Sequence, residues 1–79
     1  MQAVDFEERN IIYTGENCLP LPVRRQYNEE FGAMEYISLH ELTDEEIVLI
    51  LKQIKEGQRP AIYLDVIGGQ PPVALWVKE

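Results

Sequence analysis

A chain of 79 residues with 14 acidic and 7 basic side chains, net charge −7, reads as one small domain, residues 1–79, whose charge opposes binding to a nucleic-acid backbone. One cysteine and one histidine allow neither an internal disulfide nor a closed four-ligand zinc site. A chain this short buries only about 60–65% of the surface its unfolded state exposes, so oligomerisation is the remaining common route to stability.

The first eight residues have no basic start and no apolar core, so no secretory signal is expected. The longest apolar run, Ile47 to Leu51, is far too short to span a bilayer, and a lone thiol suits the cytoplasm. Val4 and Phe6 alternate with acids and predict a short edge strand. Asn10 to Thr14 is β-prone and stops at Gly15. Neither Pro20 nor Pro22 can donate to a central ladder, so residues 19–23 are expected to be extended, at an edge or in polyproline form. Strands over 23–27 and 34–40, joined by a turn at Asn28 to Gly32, predict a hairpin. Ile37 and Leu39 would share one face, with Met34, Tyr36, Ser38 and His40 on the other.

Thr43-Asp44-Glu45-Glu46 has the form of a capping box, and Gly57 is a natural stop, which predicts a helix over about 43–57. Ile47, Ile50, Leu51 and Ile54 recur at helical spacing and are expected to face the core. Leu49 points away from that stripe and is expected to be exposed. Residues 61–78 read as a terminal β-hairpin around Gly68-Gly69-Gln70-Pro71-Pro72. A four-residue loop, 69–72, pairs Leu64 with Val77 and puts every large aliphatic on one face. Tyr63, Asp65, Trp76 and Lys78 then fall on the other. A five-residue loop puts Trp76 beside Leu64 and mixes the faces. The four-residue loop gives the cleaner alternation. The expected fold is α+β: a mainly antiparallel sheet of four to six strands, with one helix on one face.

The residues argue against several chemistries. Cys18 and His40 could in principle form a nucleophile–base pair, but acids near Cys18 would raise its pKa, and no acid is placed to orient the imidazole. Ser38 and His40, two apart on a strand, are expected to diverge and act as ordinary strand residues. The doublets Glu7-Glu8 and Glu29-Glu30 read as solvated charge, and the acids at 44–46 serve the helix end. Gly68-Gly69 lacks the Lys-Ser/Thr ending of a phosphate loop. No catalytic residue, cofactor or metal is expected.

Two binding surfaces are expected instead. Tyr63 and Trp76, on a hairpin face with no second helix to cover it, suit a subunit or partner interface, and Leu49 suggests a further contact. Arg24 or Arg25, with Tyr27 and the backbone amides of Gly69 and Gln70, could hold a planar anion such as a nucleotide between subunits. The expected function is a non-catalytic cytoplasmic binding protein. It is an oligomeric interaction module or small inhibitor, of the accessory kind common in phages and mobile elements. The alternative is an oligomer that sequesters a small anionic ligand, and a small hydrolase is a distant third.

Overall fold

The computed structural model describes residues 1–15, 18–65 and 74–79, apart from the Cys18 side chain. The chain falls into two compact units, Ala3–Glu41 and Met1–Gln2 with Leu42–Glu79. Among the described residues there are seven strands, in three sheets, and one helix, so the class is α+β. The strands are divided among sheets of two, three and two rather than joined in one.

In the unit of residues 3–41, β2 (Ile11–Gly15), β3 (Cys18–Asn28) and β4 (Ala33–Ile37) form the three-stranded sheet. The long strand β3 is shared end to end. Its first half pairs antiparallel with β2, Ile11 opposite Val23 and Tyr13 opposite Leu21. Its second half pairs antiparallel with β4, Arg24 opposite Ile37 through Asn28 opposite Ala33. Pro20 and Pro22 therefore lie where β3 has a strand on one side only, and a missing N–H costs nothing there. The β3–β4 turn closes with the Asn28 side chain accepting from the Phe31 N–H at 3.1 Å, and Gly32 takes φ 63°, as a turn glycine can. Val23, on the central strand, is fully buried.

Asn10 extends the β2–β3 ladder with its side chain. Its backbone N–H donates to the Val23 carbonyl at 3.0 Å. Its carboxamide then takes both groups of the next β3 position facing that side. Nδ2 donates to the Arg25 carbonyl, and Oδ1 accepts from the Arg25 N–H, each at 2.8 Å. One side chain thus does the work of a strand residue. After Ile37 the chain leaves the sheet at Ser38, and β5 (Leu39–Glu41) pairs instead with β1 (Gln2–Val4).

In the second unit, α1 (Asp44–Lys55) begins with the expected capping box. Thr43 accepts from the Glu46 N–H at 3.2 Å, and the Glu46 carboxylate accepts from the Thr43 N–H at 3.0 Å. The Met1 ammonium also pairs with Glu46. That ammonium first, and the Thr43 N–H second, lower the Glu46 pKa from 4.5 to about 2. The helix ends in a Schellman motif: Gly57, at φ 78°, donates to the Ile54 carbonyl and Gln58 to the Gln53 carbonyl at 2.8 Å.

The expected inward face of α1 is not the one that is buried. Ile47 is half-exposed, and Leu51 and Ile54 keep 61% and 56% of their surface open. Gln53 is the buried helix residue, at 7% exposure, and its Nε2 donates to the Lys78 carbonyl at 2.6 Å. At about 100° per residue, Leu51 lies about 160° around the helix from Gln53. The arc that carries Gln53 faces inward, and the apolar stripe faces outward. Leu49, expected to be exposed, is half-buried in consequence.

The terminal pair β6 (Ile62–Asp65) and β7 (Ala74–Val77) is antiparallel, with Ile62 opposite Val77, Tyr63 opposite Trp76 and Leu64 opposite Leu75. The ladder extends through Lys78 N–H to Ala61 at 2.8 Å. Neither expected register occurs. The observed one differs from the four-residue-loop register by two positions, and a shift of two leaves every side chain on its face. Ile62, Leu64, Leu75 and Val77 therefore still share one face, and Tyr63, Asp65 and Trp76 the other. The expected loop itself, residues 68–72, lies outside the described residues.

Two measurements check this picture. Asn10→Ala should lower the urea-denaturation stability by about 1–2 kcal/mol, the loss of two exposed hydrogen bonds. Asn10→Asp should cost at least as much, because a carboxylate cannot donate to the Arg25 carbonyl. Glu46 has a folded pKa below its unfolded value, so its contribution is complete above about pH 4.5 and is lost as pH falls toward 2. Glu46→Gln keeps the capping acceptor but cannot pair with the ammonium, so its helical circular dichroism should change less over that pH range than the native chain's.

Candidate binding surface

In the unit that carries α1 and the terminal hairpin, a shallow groove is lined by Glu46, Leu49, Trp76, Val77 and Glu79. Val77 is buried at its base. Trp76 remains 45% exposed and stacks on Tyr63, ring centroids 5.5 Å apart and planes tilted by 33°. Cross-strand pairing puts these two rings side by side, and their contact fixes both at the cost of few rotamers. The structure therefore gathers Leu49, Tyr63 and Trp76 into one neighbourhood, with two carboxylates at its rim. On the aliphatic face of the hairpin the β6 side is also open: Ile62 and Leu64 are both exposed, whereas Val77 opposite Ile62 is buried.

Around the helix from this groove runs the outward stripe. Ile47, Val48, Leu51 and Ile54 form it, and Val48 is 66% exposed. The helical periodicity identified most of this stripe but gave it the wrong direction. One available signal was that Asp44 and Lys55 lie on the same arc as Leu51, one at each end. A stripe bracketed in line by charges belongs to a surface.

The arginine doublet separates as strand neighbours must. Arg24 enters a polar network on one face of β3–β4. Its Nε donates to Gln26 at 2.8 Å, Gln26 donates to the Glu35 carboxylate, and Asn28 donates to the same carboxylate at 3.0 Å. Those amide donors, Gln26 foremost, hold the Glu35 carboxyl below its usual range. Arg25 shares the opposite face with Tyr27 and, across the ladder, with Tyr36 and Met34. Tyr36 in turn contacts Tyr13, ring centroids 6.2 Å apart. Among the described residues Arg25 makes no ion pair. Gly69 and Gln70 lie outside the described residues.

Ser38 and His40 do not diverge as expected. The Ser38 hydroxyl lies 2.8 Å from His40 Nε2. Ser38 is the break between β4 and β5 rather than a position within one strand, so the side chains at 38 and 40 are free of strict alternation. Burial holds the His40 pKa below 6.5. No carboxylate is hydrogen-bonded to the ring among the described residues. Nor, among the described residues, do three His, Cys, Asp or Glu side chains converge as a metal site would need. Among the described residues no helix is long and apolar enough to cross a membrane.

Comparison with protein-family models, with curated proteins and with solved structures finds no match for this chain.

Proposed function

We propose that the protein is a non-catalytic, cytoplasmic binding module that works as a homo-oligomer through the apolar surface of residues 42–65 and 74–79. One observation carries this: the large apolar side chains of that unit are mostly open to solvent. Among the described residues of the whole chain, only Val23 and Val77 are buried large aliphatics. Ile47, Val48, Leu51, Ile54, Ile62, Leu64, Tyr63 and Trp76 all remain substantially exposed. Single exposed aliphatics are ordinary on a protein surface, whereas a cluster of this kind marks a binding surface. The Tyr63–Trp76 pair beside the groove has the composition of an interface anchor. Glu79 at the rim, where Glu46 is already paired with the Met1 ammonium, favours a partner contact that is basic at its edge and apolar at its centre.

A second reading draws on Arg25. Its guanidinium shares a face with Tyr27 and Tyr36, which suits fork hydrogen bonds and stacking to a planar anion such as a nucleotide.

Light scattering on the purified chain at micromolar concentration should give a mass above one chain. A strict monomer would overturn the oligomeric module. Trp76→Ala should weaken assembly or partner binding while leaving the circular dichroism of α1 unchanged. Native mass spectrometry separates the second reading, for which a small anionic adduct should be present and should disappear in Arg25→Ala.

A further inference from the structure

The outward stripe of α1 has a property that the rest of the exposed apolar surface lacks: it is complementary to itself. On a helical wheel with Asp44 at 0°, Leu51 falls at about 340°, Lys55 at about 20°, Val48 at about 40°, and Ile47 and Ile54 at about 300° and 280°. One arc thus carries an acid at its N-terminal end, aliphatics along its middle and a base at its C-terminal end. Asp44 and Lys55 are both exposed, and neither has an ion-pair partner among the described residues. The buried arc, around Gln53 and Glu46, lies opposite.

We propose that the occupant of this stripe is a second copy of the same chain, with the two α1 helices packed antiparallel about a twofold axis near Leu51. This rests on the oligomeric reading above and specifies its geometry. An antiparallel twofold brings Asp44 of each helix toward Lys55 of the other, Ile47 toward Ile54, and the two Leu51 side chains to the centre. It also points each helix dipole against the other. A parallel pair would instead set Asp44 against Asp44 and Lys55 against Lys55.

A lipid surface is the poorer occupant. Interfacial helices carry Lys and Arg along their polar face, whereas the flank of this stripe sets Glu45 beside Lys52 and the chain carries a net charge of −7.

The area sets the strength. A helix of 12 residues is about 18 Å long and roughly 10 Å wide, a footprint of roughly 180 Å² against about 800 Å² per partner in a standard stable interface. The helix pair alone gives a reversible dimer that dissociates on dilution.

Sedimentation equilibrium over a concentration series tests the proposal, with helical circular dichroism as the folding control. Leu51→Glu keeps a good helix former at an exposed position and puts two like charges at the axis. It should leave the helix signal intact and weaken the dimer at least a hundredfold. Asp44→Lys and Lys55→Asp should each weaken the homodimer about tenfold. Mixing these two variants should restore dimerisation, because one then carries two lysines and the other two acids on the stripe. The double variant D44K/K55D should also dimerise. A mere effect on the helix dipole would add in the double variant rather than cancel.

An oligomer that survives Leu51→Glu overturns this geometry and leaves the binding module standing. A native chain that is monomeric at every concentration overturns both. Loss of the single-variant effects, or no recovery on mixing, overturns the antiparallel order. Co-sedimentation of a monomeric chain with vesicles of phosphatidylcholine and phosphatidylserine would overturn the second copy in favour of a membrane.

Discussion

The hydrogen bond from the Gln53 carboxamide to the Lys78 carbonyl ties the buried arc of α1 to the hairpin, and the rest of the helix is turned accordingly. A helix normally rotates so that its greasiest arc faces its own chain. Here an amide that sits between Leu49 and Ile50 on the helical wheel faces the hairpin, and a buried Gln cannot give up its partner without a desolvation penalty. Once Gln53 is inside, Leu49 and Ile50 follow it as far as half-burial, and Ile47, Leu51 and Ile54 are carried to the outside. Among the described residues Gln53 Oε1 finds no acceptor role, so the choice is not even fully satisfied in hydrogen bonds. An interior bought with a polar group leaves apolar area elsewhere, and that area lies on the helix and on both hairpin faces.

The two units solve the same problem differently. In residues 3–41 polar side chains substitute for backbone or bridge across strands: Asn10 against Arg25, and Gln26 and Asn28 on Glu35. The sheet there is held by hydrogen bonds more than by bulk, with Val23 as its fully buried aliphatic. In the other unit the hairpin relies on cross-strand pairs, aliphatic on aliphatic and Tyr63 on Trp76. A stack of that kind contributes about 0.5–1.5 kcal/mol beyond its area, useful but far short of what a closed core supplies.

What could be read from the sequence was whatever is decided within a few residues. The capping box at Thr43, the stop at Gly57, the β3–β4 turn at Asn28 to Gly32 and the edge position of Pro20 and Pro22 all follow from local chemistry. The faces of the terminal hairpin were legible too, because alternation survives a two-residue shift even though the register does not. What could not be read depends on distant partners. The rotation of α1 depends on Lys78, 25 residues from Gln53. The meeting of Ser38 with His40 depends on β5 leaving β4 to pair with β1. Of the binding surface, Leu49, Tyr63 and Trp76 were visible as individual residues, whereas the outward direction of Leu51 was not.

Asn10 has one more consequence. Beyond Val23 the side of β3 once covered by β2 would present the free N–H and C=O of Arg25, which is how an unprotected strand invites a foreign one to dock. Both groups are already occupied by a side chain that has no strand to continue. A carboxamide therefore acts as a stopper at the end of the ladder, closing the position to β-augmentation or fibril-like stacking. At this position of β3, association is left to side chains, which can be selective, and is denied to the backbone, which cannot.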